Sequence, residues 1–237
     1  DTATGSIGSD QVSIVLGADF VLTFQERPTG TFDPLRERLR GDKGQIRKLG
    51  ADYLAYSLLD TVIDRYFTVL EQLTERTEAL EDKLLLQATP ALLKEIHAIK
   101  REAMVMRRAV WPLREVINSL TRADQRFFKP ETQPYLRDIY DHTVHVIESL
   151  EGIRDLVAGM LDIYLSSISN RVNMEVRILT VITTLFMPAA LIAGIFGMNF
   201  RHMPLIEDNQ GFLLALSMMG TIALVMVTVF WRRRWLG

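Results

Sequence analysis

Apart from one loop and the tail, charged positions vanish from this chain after residue 177. Residues 178–198 (ILTVITTLFMPAALIAGIFGM) and 211–231 (GFLLALSMMGTIALVMVTVFW) hold no charged side chain across 21 positions each. About 20 apolar residues carry a helix across the hydrocarbon core of a bilayer. A buried helix of a soluble protein rarely runs that far without a charge. The pattern predicts two membrane helices. The short stretch between them, 199–210, suffices only for a hairpin loop, so both flanks lie on the same side.

Upstream the pattern first alternates and then turns helical. In QVSIVLGADFVLTFQE, Val12, Ile14 and Leu16 alternate on one side, and Phe20, Leu22 and Phe24 on the other, around a Gly17-Ala18-Asp19 turn. Two strands alone are marginal. Residues 1–44 therefore read as the remnant of an α/β domain, entered in its middle. DPLRERLR predicts a short helix with Asp33 as N-cap and Pro34 in its first turn. A long amphipathic helix follows from residue 51 to about residue 86, with Leu54, Leu58, Val62, Tyr66, Leu70 and Leu73 on one stripe. Thr89 and Pro90 read as N-cap and first residue of the next helix, which runs to about residue 120 with a kink expected at Pro112. RADQRFFKPETQP then breaks the pattern, closing a helical region at residues 45–130.

The third helix has no obvious end. From Tyr135 no proline occurs until Pro188, inside the first span. A stalk at residues 131–177 and the membrane helix thus read as one element. Its 62 residues from 135 to 196 would extend about 93 Å. An apolar stripe runs through Tyr135, Ile139, His142, Val146, Leu150, Ile153, Val157, Leu161, Tyr164, Ile168 and Val172, in steps of three and four with the fours in excess. That spacing is close to the eleven-residue repeat, which favours straight or slightly right-handed packing.

Charge orients the hairpin. The tail WRRRWLG (residues 231–237) sets Arg232, Arg233 and Arg234 between two tryptophans, whereas the loop has Arg201 against Glu207 and Asp208. Lys and Arg stay on the cytoplasmic side. Both termini are therefore expected in the cytoplasm and the loop outside. The arginines read as a topology and headgroup anchor. The net charge of −2 gives no sign of a nucleic-acid partner. The chain has no Cys, its four His make no zinc signature, and it has neither a P-loop nor a nucleophile–base set. An enzyme is not expected.

The first span has two unlike sides. Asn173, Val176, Thr180, Thr183, Met187, Ala190 and Gly194 form one face, with an amide, hydroxyls and small residues. Ile178, Val181, Ile182, Leu185, Phe186, Leu191, Ile192, Ile195 and Phe196 form the other, which is expected to meet lipid. Lipid cannot satisfy an amide, so the first face calls for protein or water. Plain dimerisation and a pore built by several copies both answer that need.

The end of this span decides between them by resemblance. FGMNF, with Gly197, Met198 and Asn199, resembles the signature of the CorA family of magnesium transport proteins. So do Met203-Pro204, the tail ending in Trp235-Leu236, FDPLRERLR, GADYLAYSLLD, WPLREV, RDIYDHT and LDIYLSSISNRVN. The family has a larger cytoplasmic α/β domain, whose first part is absent from this sequence. The resemblance implies a mainly α membrane protein with a partial α/β cytoplasmic domain. It implies a homopentameric funnel in the inner or plasma membrane, with stalk helices continuous with the pore. It also implies Mg²⁺ as both cargo and regulator, with Co²⁺ and Ni²⁺ as further candidate cargo. In that setting residues 178–198 line the pore, 199–210 form the outward loop, 211–231 the second span and 232–237 the cytoplasmic tail.

By the same resemblance Gly197, Met198 and Asn199 form the selectivity filter. Asn173, Val176, Leu179, Thr183, Met187 and Ala190 line the pore, with Leu179 and Met187 as hydrophobic constrictions. The family often has Met at position 176 and Thr at position 190, and this chain departs from it at both. Glu207 and Asp208 read either as cation-attracting or as ordinary solvated loop charges. Asp138 and Asp141 match the family's sensor segment, and Asp162 an acidic position near the cytoplasmic entrance. The sensor's acidic partner belongs to the absent part, so weak regulation or a locked-open state is expected. His142 and His145 read as surface and seam residues. A zinc–proton transporter of the same superfamily and a membrane-anchored helical scaffold are the alternatives.

Overall fold

The computed structural model describes residues 8, 10–41, 44–122, 127–198 and 210–233. They divide into two compact units, Asp1–Tyr164 and Leu165–Gly237. In the first unit, strands β1 (Val12–Leu16) and β2 (Val21–Gln25) pair antiparallel, Val12 opposite Gln25 and Leu16 opposite Val21. Gly17 N–H donates to the Phe20 carbonyl at 2.9 Å and closes the turn. Alternation sorts the two apolar sets as expected. Val12, Ile14, Leu16 and Val21 pack against the helical core, while Val15, Phe20, Leu22 and Phe24 stay exposed on the opposite face.

Helix α1 (Asp33–Arg40) starts one residue earlier than the sequence suggests. The turn that closes with Asp33 N–H on the Gly30 carbonyl at 3.1 Å makes Phe32 the N-cap. Asp33 is then the first helical residue, and its carboxylate accepts from Arg36 at 2.8 Å instead of capping. Helices α2 (Ala51–Leu86) and α3 (Pro90–Thr121) match expectation closely. Thr89 Oγ1 accepts from Leu92 N–H at 3.4 Å, as an N-cap should, and α3 continues through Pro112.

The long helix α4 (Gln133–Phe196) is unbroken, as its missing prolines require. Its packing period differs from the expected one. The buried seam of its first half is Leu136, Ile139, Thr143, Val146, Leu150, Ile153, Val157, Met160 and Tyr164, with Ile147 buried beside it. Steps of three and four alternate strictly along this seam, which makes a seven-residue repeat. In α3, Leu92, Ile96, Ile99, Ala103, Met106 and Val110 keep the same beat, as do Leu70, Leu73, Thr77, Leu80 and Leu84 in α2. A seven-residue repeat gives left-handed coiled-coil packing, not the straight or right-handed kind. The seam runs through Leu136, Thr143 and Met160, where the sequence pattern favours their neighbours Tyr135, His142 and Leu161. Two threonines hid it. Thr77 and Thr143 are buried, but their hydroxyls donate at 2.7 Å to the carbonyls of Leu73 and Ile139, so each sits in the seam without an unmet donor.

One buried carboxylate ties the unit together. Asp52, in the first turn of α2, is only 4% exposed. Its Oδ2 accepts from Lys129 N–H at 3.0 Å and from the Thr132 hydroxyl at 2.7 Å. Thr132 in turn opens α4, its carbonyl accepting from Leu136 N–H at 3.2 Å. The positive end of the α2 dipole favours the carboxylate there. Asp52→Ala strands the buried Thr132 hydroxyl and the part-buried Lys129 N–H, and is expected to cost about 2–3 kcal/mol, lowering the thermal midpoint in detergent by roughly 5–10 °C. Asp52→Asn keeps an acceptor for Thr132 and should lose less. Circular dichroism melts of the two variants beside the parent check the order.

The second unit contains the remainder of α4 and helix α5 (Gly211–Arg232). By length and composition, α4 and α5 are the two described helices able to cross a membrane.

Candidate pore and cation site

The sides of the membrane part of α4 separate, though not along the expected line. Ile192 is buried, and Val181, Leu185 and Phe196 are half-buried, with Thr184, Pro188 and Ala189 on the same stripe. On α5, Ala215 and Phe230 are buried. Four residues assigned to lipid thus lie on the covered stripe, with α5 the other described helix of their unit. Ile178, Ile182, Phe186, Leu191 and Ile195 remain exposed, free to meet lipid.

The small and polar face lies opposite the covered stripe, because residues at these spacings fall on one side of a helix. Asn173, Val176, Thr180, Thr183, Met187, Ala190 and Gly194 are all exposed, and so is Leu179. The two large constriction candidates stand clear of their own chain: Leu179 is 64% and Met187 63% exposed. Nothing in a single chain covers this face among the described residues.

Its hydroxyls, however, are already engaged. Thr180 donates to the Val176 carbonyl at 2.8 Å and Thr183 to the Leu179 carbonyl at 2.9 Å. The demand for a polar neighbour therefore rests on Asn173 alone rather than on the whole face. Helix α4 ends where the resemblance places the filter. Gly197 N–H still bonds the Ala193 carbonyl at 2.9 Å, and Met198 N–H takes the Ile195 carbonyl at 3.2 Å. A Cβ on Gly197 would stand 3.1 Å from that Ala193 carbonyl, which explains a glycine at this point. Asn199, Glu207, Asp208 and Arg234 lie outside the described residues, while Arg232 ends α5 and Arg233 is its C-cap.

The three regulatory candidates part company. Asp138 faces His142, with Oδ1 to Nε2 at 3.9 Å. It also belongs to a charge neighbourhood that sequence reading missed. Burial first, and then Asp64, push the Asp60 carboxyl above the usual carboxylate range. Asp138 adds to that shift, while His142 and Arg38 oppose it. Burial, and then Asp60, push the Tyr56 phenol up as well. Phe67 packs its ring against both His142 and His145, so His142 belongs to this neighbourhood and not only to a surface. Asp141 and Asp162 are exposed on α4. Among the described residues no three His, Asp or Glu side chains close on one point tightly enough to hold a metal. The Asp60–Asp138–His142 set is an electronegative surface rather than a finished cage. The signal available in the sequence was GADYLAYSLLD itself, whose final residue is Asp60.

These features define a two-span helical membrane protein with an extramembrane three-helix seam, its long helix shared by both. The family model of the CorA-like Mg²⁺ transporter protein matches residues 2–234, so the chain belongs to that family, one of transporters and not of enzymes. It is 45% identical over 228 residues to the cobalt/magnesium transport protein CorA of Thermotoga maritima, covering 96% of this chain and 65% of that protein. It therefore spans about two-thirds of that relative's length. A second relative, the cobalt/magnesium transport protein CorA of Methanocaldococcus jannaschii, is 30% identical over 237 residues, with 100% of this chain and 73% of that one covered. The solved structure of the Methanocaldococcus jannaschii CorA magnesium transporter shares the fold with a TM-score of 0.80 at 24% identity, over 95% of this chain and 76% of that one.

Proposed function

We propose that this chain is one subunit of a passive channel that carries Mg²⁺, and also Co²⁺, inward across the cell membrane. The observation that supports it most is the family match running through both membrane helices and the Gly197-Met198-Asn199 segment. Five copies arranged with the exposed face of α4 inward would enclose a path that one chain leaves open. Mg²⁺ sheds its waters reluctantly. A ring of Asn199 amides offers neutral dipoles to those waters without stripping them, and conduction needs binding weak enough to release the ion. The membrane potential supplies the drive: a dication moving down 100 mV gains about 4.6 kcal/mol. The basic tail at Arg232, Arg233 and Arg234 holds the termini in the cytoplasm. The test is Mg²⁺ uptake into liposomes under an imposed inside-negative potential, with native mass spectrometry giving the number of copies. Absence of uptake by an intact oligomer would leave the scaffold reading.

The same proposal assigns regulation to cytoplasmic Mg²⁺ held near Asp138. Asp60 now joins Asp138 there, whereas Asp141 and Asp162 are left to contacts between copies. An Asp whose carboxyl is pushed up by folding destabilises the folded state while charged, and that cost disappears when it is neutralised. Asp60→Asn is therefore expected to raise the thermal midpoint in Mg²⁺-free buffer. It should also shrink the further gain produced by about 20 mM Mg²⁺. A full Mg²⁺ gain in both Asp60→Asn and Asp138→Asn would remove these residues from the sensor.

A further inference from the structure

A cavity of about 240 Å³ opens where the free ends of the β hairpin meet α2 and α3. It lies on the side of α2 away from Asp60, since Val62, Tyr66 and Val69 fall roughly half a turn from that residue. The floor is apolar, made by Val62 and Val69 of α2 with Met106 and Ala109 of α3. The rim carries two guanidinium groups, Arg27 just past β2 and Arg65 of α2, both exposed.

Thr29 and Thr31 on the lining hydrogen-bond each other at 2.7 Å, but the arginines and the phenol are poorly paired. Arg27 meets Asp10 only at 3.9 Å, the edge of ion-pair range. Arg65 makes no ion pair among the described residues. The Tyr66 hydroxyl likewise has no hydrogen-bond partner among them, and it is not sealed from the cavity. Burial pushes its phenol up, so it remains a donor at neutral pH. The cations therefore stand at the mouth and the donor sits deeper, over an apolar floor. A bare inorganic anion would use the rim and leave the floor idle. A neutral apolar molecule would use the floor and leave the arginines idle.

We propose that this recess binds a small organic anion, a carboxylate or a phosphate monoester on one ring or short alkyl chain, with its acid group at Arg27 and Arg65. The size sets the upper limit. Pockets for drug-sized ligands span about 300–1,000 Å³, so the occupant is smaller than a nucleotide. Asp10 competes with it for Arg27, which fixes the sign of one variant in advance. The site would report an organic anion on α2, the same helix that carries Asp60.

The test uses the full chain in detergent micelles, with empty micelles as the blank. Phenyl phosphate, benzoate, benzyl alcohol and inorganic phosphate are titrated in turn, followed by saturation-transfer NMR and calorimetry. Both aromatic anions should bind, and benzyl alcohol and inorganic phosphate should bind about ten-fold more weakly or worse. The tighter of phenyl phosphate and benzoate tells a phosphate source from a carboxylate source. Arg65→Glu should weaken the better anion by about ten-fold or more, and Tyr66→Phe by about three- to five-fold. Asp10→Asn should tighten it. Arg65→Glu should keep the parent's circular dichroism spectrum and thermal midpoint, which shows that the variant is folded. Unchanged affinity in Arg65→Glu, equal binding of benzyl alcohol, or a signal no greater than that of empty micelles would each overturn the proposal. The readout is binding, so the result stands apart from that of the transport assay.

Discussion

Asn199→Ala is expected to abolish Mg²⁺ influx into liposomes while leaving the oligomer intact. Gly197 and Met198 close the last turn of α4 on the carbonyls of Ala193 and Ile195, immediately before Asn199 in the sequence. In the proposed assembly, an amide from Asn199 of every copy would give a ring of carbonyl dipoles facing a hydrated dication. Each hydrogen bond to a charged species contributes about 1.5–3 kcal/mol. Losing even one such bond at the entry site predicts a fall in flux on the order of 100-fold, or about 2.8 kcal/mol. Asn199→Asp should act the other way on binding: a carboxylate ring holds Mg²⁺ longer, so affinity rises while flux falls. Dye-reported influx beside native mass spectrometry separates the two. Parent-like flux in Asn199→Ala would take the filter away from this segment.

The second large effect is expected at the constrictions. Leu179 and Met187 are among the most exposed apolar side chains of α4, on the face away from its covered stripe. Rings of such side chains exclude water when the pore is narrow, and an ion cannot cross a dry segment. Leu179→Asn and Met187→Asn should wet their rings and raise influx on the order of ten-fold under conditions where the proposed gate would hold the parent closed. Met187→Asp should do so more strongly for cations. A charge at mid-membrane costs about 2.5–3.5 kcal/mol unless it faces water. A folded, conducting Met187→Asp oligomer would therefore itself place this position on the water side. Flux unchanged in all three variants would sink the constriction assignment.

What the sequence revealed depended on how redundant each signal was. The spans were legible because 21 charge-free positions admit one reading. The continuity of α4 followed from the missing prolines. The hairpin was legible because one-residue alternation leaves no second register. The packing period of α4 was not. Several of its positions have two apolar or amphipathic neighbours, and taking Tyr135, His142 and Leu161 in place of Leu136, Thr143 and Met160 breaks the strict alternation of threes and fours. A buried threonine also looks polar until its hydroxyl is seen to close on its own helix. Asp60 was missed for a different reason. Burial and Asp64, one turn on, act on it most, and Asp138 adds to them from two helices further along the chain, where no local spacing connects the two. The covered stripe of α4 was misassigned because apolar side chains suit lipid and protein equally well, and only a neighbouring helix tells them apart.

The threonines of the first span have a consequence for how the protein is made. Thr180, Thr183 and Thr184 each give their hydroxyl hydrogen to a carbonyl one turn back, at 2.8, 2.9 and 2.7 Å. Thr221 and Thr228 of α5 do the same at 2.8 and 2.7 Å. Unmatched donors are what keep a lone polar helix out of hydrocarbon. With these donors internally matched, each span can leave the insertion machinery singly and rest in lipid before any sister subunit is synthesised. In the proposed assembly, oligomerisation would then be a later, lateral encounter between finished chains. Asn173 apart, the face that would hold water in the proposed assembly is, until that encounter, one that the bilayer tolerates.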